Sequence, residues 1–205
     1  MPTSNAPVAT PKKLMTANEF WDFCQLPENE NHSFELIRGE VVEVSRASKP
    51  HCIVCANITR LLGNYSFECG IGYVTSNDVG TILATIPVSV VGPDVAYFTD
   101  AKTLDEVHPK WGGETPILVV EVLSPNDRTR ETEGRIRDYL ESGVNLVWIV
   151  EYQERTVSVH RLSLDEKVLN TADLLTAEKV LPGFSCRVAE FFRMPGDKPL
   201  TGASH

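Results

Sequence analysis

The sequence has no basic excess. Its 19 Lys and Arg stand against 28 Asp and Glu, a net charge of -9. Sequence-independent DNA binding draws its affinity from neutralised phosphates, so this balance argues against a surface built for it. It leaves room for an acidic site neutralised by a divalent cation, or for a local basic strip. No apolar run reaches the length of a membrane span, and no charged n-region precedes an apolar h-region, so no membrane partner is expected and the expected location is cytoplasmic. Cysteines are few and odd in number (Cys24, Cys52, Cys55, Cys69 and Cys186), with no framework spacing, which points to reduced thiols. Cys52-x-x-Cys55 has no second pair to complete a four-ligand zinc set and reads as small apolar residues on a helix. There is no G-x-S-x-G elbow, no H-E-x-x-H and no glycine-rich phosphate loop, so the hydrolase classes built on those motifs lack support. Internal repeats and linkers are also missing.

What is present suits one domain. The chain has 205 residues, and the expected division is a disordered tail over 1–13, a domain over 14–193 and a flexible tail over 194–205. Thr16-x-x-Glu19 is a capping-box pattern that opens a short helix ending near Pro27. Ser33 to Val44 reads as a β-hairpin turning at Arg38-Gly39. A helix is expected from about Ser48 to Leu62, with Val54, Ile58, Leu61 and Leu62 on one face. His51 falls in its first turn, where it reads as a surface or capping residue, or as help in holding an anion at the helix end. Strands follow over Gly70–Ser76 and Thr81–Val90. Another begins at Asp94, just past the break at Gly92-Pro93. Ala101 to Glu114 is a polar connection. Lys167–Leu175 and Lys179–Cys186 are expected to pair as a closing hairpin.

The most informative stretch is Ile117 to Asp127. Its apolar run reads as a strand buried on both faces, with Glu121 inside it. A helix from about Asp127 to Ser142, capped by Gly143, and a strand over Asn145–Val150 complete a βαβ unit. A lone buried carboxylate costs several kcal/mol, on the order-of-magnitude desolvation argument, unless it is paired, protonated or bound to a cation. Two compensations are open. Asp94, on a strand expected beside it, would make with Glu121 an oxygen-rich site suited to magnesium. Alternatively an arginine on the next helix, Arg135 or Arg137, pairs with Glu121.

The chain also carries Pro93-Asp94-Val95-Ala96, Val119-Val-Glu121-Val-Leu-Ser124-Pro125 and Arg135-x-x-x-Tyr139-x-x-x-Gly143-Val144. In this order and spacing, with Phe34-Glu35-Leu36-Ile37-Arg38-Gly39 before them and Leu181-Pro-Gly-Phe184 after, it resembles the Uma-two family of putative restriction endonucleases in the PD-(D/E)XK nuclease-like superfamily. The resemblance covers roughly residues 15 to 192. It implies an α/β (α+β) restriction-endonuclease-like fold, with a mixed β-sheet core flanked by helices and an N-terminal β-hairpin extension. It also implies a metal-dependent phosphodiesterase site acting on DNA, in which Asp94 and Glu121 are catalytic ligands to Mg (or Mn). The motif lysine normally lies two residues after the acid, where this chain has Leu123. In the resembling family it has moved to the following helix, and the matching position here is Arg135. Arginine stabilises charge on phosphate but cannot serve as a general base. Glu35 is a further catalytic candidate that would aim a ligand from behind. A homodimer is expected if both strands of a duplex are cut about a two-fold axis. The alternative is a catalytically weak or inactive nuclease-fold protein acting in binding or assembly.

Overall fold

The computed structural model describes residues 14–112, 114–124 and 129–198. The expected tail over 1–13, residues 199–205 and the Pro125–Arg128 part of the central stretch lie outside them. Residues 194–198 form a turn, in which the Met194 amide donates to the Asp197 carboxylate at 2.7 Å.

Local signals in the sequence account for the first elements. The Thr16 hydroxyl accepts from the Glu19 amide and the Glu19 carboxylate accepts from the Thr16 amide, which closes the capping box of α1 (Ala17–Cys24). The hairpin β1 (Phe34–Ile37) and β2 (Glu40–Glu43) turns at Arg38 and Gly39, with φ of 48° and 80°. Both central residues adopt left-handed backbone, as a type I′ turn requires. Ser48 caps α2 (Lys49–Cys69), which stops at Gly70 in the left-handed conformation. The helix therefore runs about two turns beyond the expected Leu62, because Gly70 is the first residue whose backbone terminates it.

Next come β3 (Tyr73–Ser76), β4 (Thr81–Leu83), β5 (Ser89–Val91) and β6 (Val95–Phe98). The expected single strand over Thr81–Val90 is two strands in a hairpin, with a cis peptide at Ile86-Pro87 between them. Beyond a 3-10 turn over Leu104–Glu106 lie β7 (Leu118–Leu123), α3 (Thr129–Glu141) and β8 (Leu146–Glu151). β7 and β8 are parallel neighbours joined through α3, as the βαβ reading requires. The chain continues through β9 (Thr156–His160), β10 (Lys167–Leu169), β11 (Leu174–Thr176) and β12 (Ser185–Arg187), and ends in a 3-10 turn over Val188–Phe192. The expected closing hairpin is corrected. Asn170 and Asp173 form a turn inside Lys167–Leu175, so β10 joins β9 and only β11 pairs with β12.

The main sheet is mixed, in the order β10-β9-β8-β7-β6-β3, and a four-stranded sheet β2-β1-β5-β4 stands beside it. This is the mixed α+β architecture that was expected. On one face of the main sheet α2 lays Val54, Ile58 and Leu62 over Val95, Tyr97, Val120 and Trp148, and Phe184 and Phe191 close that core. On the other face Tyr139 of α3 packs with Val119, Val147 and Ile149. The alternation of β7 and β8 between these two cores is the strand period of two.

Candidate functional site

The antiparallel register pairs Val95 with Val120, so Asp94 and Glu121 stand at the next position on adjacent strands, where β6 begins. Asp94 precedes β6, and its Oδ2 accepts the Val122 amide at 2.7 Å. That bond ties Asp94 across to β7. Its Oδ1 lies 3.2 Å from His51 Nε2 on α2. Glu121 is 8% exposed. Its Oε1 accepts from the Tyr139 hydroxyl at 2.6 Å and lies 3.4 Å from Arg135 Nη1. Tyr139 is i+4 from Arg135, so α3 presents both groups on one side.

Arg135 also makes a two-pronged ion pair with Glu35, at 3.0 Å from Nη1 to Oε1 and 2.6 Å from Nη2 to Oε2. Glu35 Oε1 accepts the Gly92 amide at 3.0 Å as well. Four expected site residues, Glu35, Asp94, Glu121 and Arg135, thus line one cleft of about 690 Å³. Of the two compensations for Glu121, the arginine contact is the one made directly. Arg137 is not the partner of Glu121 in any described contact.

Two further residues belong to the cleft. His51 is corrected from a surface or capping group: it is 8% exposed and faces Asp94. Its ionisation is raised, first by the hydrogen bond to Asp94, against an opposing effect of burial. Asp78 lines the same cleft. Asn77 and Asp78 adopt φ of 65° and 56°, and a Cβ on Gly92 would lie 2.7 Å from Asp78 Cβ. Only glycine at position 92 lets this left-handed turn come so close to the end of β5. In sequence, Asn77-Asp78 only separates the two expected strands and gives no hint of convergence on Asp94.

The electrostatics follow from this crowding. Burial pushes the Glu121 carboxyl up to about 7, and the nearby Asp94 and Glu35 charges add to the rise against Arg135 and the Tyr139 hydrogen bond. Asp78 is raised by burial and by the Asp94 and Glu35 charges. Burial opposes the Arg135 charge, but Glu121, Tyr139 and Glu35 more than offset it, so the guanidinium is held protonated. The cleft thus carries five carboxylates (Glu35, Asp78, Asp94, Glu121 and Glu131) against two guanidinium groups (Arg46 and Arg135) and the imidazoles of His32 and His51. Asp94 and Glu121 themselves offer hard carboxylate oxygens in a cleft of net negative charge, a donor type that suits a divalent cation.

The family model described as "Putative restriction endonuclease", Uma2, matches residues 20–189. The chain belongs to this family. Among solved structures it is similar to a putative nuclease belonging to DUF820 from Anabaena variabilis, at 19% identity and a TM-score of 0.71, covering 87% of this chain and 97% of that one. At that identity the likeness speaks for the fold. No curated protein matches the chain. No helix among the described residues is long and apolar enough to cross a membrane.

Proposed function

We propose that this protein is a divalent-metal-dependent endonuclease that hydrolyses DNA phosphodiester bonds, with Asp94 and Glu121 as the metal ligands. The observation that carries the proposal is the pairing of these two acids across β6 and β7, in a cleft whose carboxylates outnumber its cations. Magnesium or manganese, when bound, supplies a Lewis acid for the phosphoryl oxygen and lowers the pKa of water. Asp94 is preset for this work by the Val122 amide and His51. Glu121 is preset by Tyr139. Arg135 lies beside Glu121 and stays charged, so its part is to stabilise negative charge on the phosphate, not to take a proton. Glu35 positions Arg135 and the Gly92 amide. DNA is the partner this reading requires, and a two-fold dimer is the arrangement that would place a second site on the opposite strand.

A second reading has its own observation. Arg135 bridges Glu35 and Glu121, and an ion pair of this kind compensates a buried acid without metal. On that reading the protein is a catalytically weak or inactive relative that binds or assembles. Thermal unfolding with added manganese separates the two. The nuclease reading expects a rise in Tm that Asp94→Ala and Glu121→Ala each abolish, together with cleavage of DNA that EDTA stops. A wild type with no shift and no EDTA-sensitive cleavage leaves the second reading standing.

A further inference from the structure

On the side of Asp94 away from Glu121, α2 carries a different set of donors. His51 and Cys55 are one turn apart, at i and i+4, and so share a helix face. The same spacing presents two ligands to zinc in H-E-x-x-H helices. Cys55 Sγ lies 3.5 Å from His51 Nδ1, and His51 Nε2 lies 3.2 Å from Asp94 Oδ1. One donor atom from each of the three residues falls within 4.8 Å of the others. The two contacts run through opposite ring nitrogens, so closing the set on one ion turns the His51 ring as well as drawing the donors to the separation of about 3.5 Å in a tetrahedral site.

We propose that His51, Cys55 and Asp94 form a second cation site for a borderline transition metal of the zinc class, sharing Asp94 with the Asp94–Glu121 pair. The ligand chemistry sets the metal. One sulfur, one imidazole nitrogen and one carboxylate oxygen suit zinc or cobalt, whereas magnesium takes oxygen alone. The charge around the sulfur favours a cation, because the Asp94, Asp78 and Glu121 carboxylates all act on Cys55. Burial first, and then the same charges, oppose a free thiolate, so a nucleophilic role for Cys55 has no support. As the sulfur–metal bond forms, the S–H proton leaves to solvent and His51 binds through a neutral ring nitrogen. A cleft of about 450 Å³, lined in part by Cys52, Thr59 and Asn77, opens onto the three residues. It gives an entry path and room for a fourth ligand from solvent.

The test is titration of the full chain with Co²⁺ in a Cys52→Ser/Cys69→Ser background, which removes the two exposed thiols. The expected result is a near-ultraviolet sulfur-to-cobalt charge-transfer band that saturates at one equivalent. Cys55→Ser should abolish the band, and His51→Gln should weaken cobalt binding by more than about tenfold. Circular dichroism confirms that each variant is folded. Absence of the band in the background protein, or its survival in Cys55→Ser, overturns the proposal. If Cys55→Ser does not fold, unchanged cobalt affinity in His51→Gln overturns it instead. No DNA enters the measurement, so its failure is distinct from failure of the nuclease reading.

Discussion

Two helices wall the cleft, and they are held in different ways. α2 reaches it with His51, and the rest of its inner face is Val54, Ile58 and Leu62, buried in the larger core. α3 reaches it with Arg135, yet Tyr139 is its one buried residue among those described. What holds α3 to the hairpin is charge: Arg38 pairs with Asp138 at 2.8 Å and Arg135 pairs with Glu35. The α2 wall is therefore fixed by packing, which solution conditions alter little. The α3 wall packs on the sheet through Tyr139, Ile136 and Leu140, and its tie to the hairpin adds ion pairs that a cation or a change of pH can rearrange.

The largest expected effect tests the packed wall. Ile58→Ala should cost about 3 to 4 kcal/mol in chemical denaturation, with no change on adding manganese. Arg135→Ala tests the charged wall. It leaves Glu35 and Glu121 facing each other, at a cost of about 2 to 3 kcal/mol, kept toward the lower figure because the arginine side chain is 34% exposed. Unlike the Ile58 loss, this one should shrink when manganese is added. On DNA, Arg135→Lys should retain or raise cleavage and Arg135→Ala should lower it; equal rates in all three proteins would remove Arg135 from the mechanism.

Tyr139→Phe should cost about 1 to 2 kcal/mol, since it takes a hydrogen bond from a buried carboxylate. The pH dependence is a finer discriminator. Glu121 titrates near 7 in the fold instead of near 4.5, so the native state holds the proton longer than the unfolded chain. Its contribution is most favourable below about pH 4.5 and is lost as pH rises toward 7. Wild type should lose stability relative to Glu121→Gln across that window, and the loss should be smaller with manganese present. Parallel curves without metal would contradict the burial account of Glu121.

Much of this arrangement is readable in the order of the residues alone. Thr16-x-x-Glu19, Arg38-Gly39 and the apolar run before Glu121 each carry their own local cause, and each element forms where that cause puts it. Asp94 and Glu121 are readable as a pair because one opens and the other interrupts a buried strand. His51 is not, since its burial comes from β6 meeting the first turn of α2, a contact between residues 43 positions apart. Asp78 is hidden for the same reason: its place in the cleft depends on Gly92 lying against it. The split of Lys167–Leu175 between two sheets turns on a polar loop at Asn170–Asp173, where β-branched and leucine runs on both sides mask the break. Local chemistry shows in a sequence, whereas the partner of a side chain across the fold does not.

On the proposed function, Asp94 and Glu121 act together on one divalent cation to cut DNA. The most direct measurement is nicking of supercoiled plasmid by the full chain with manganese, run beside Asp94→Asn and Glu121→Gln and repeated with EDTA. The account predicts nicking by wild type that EDTA stops and that both variants lack while remaining folded. Nicking that survives in either variant, or none by wild type at any manganese concentration, would contradict it.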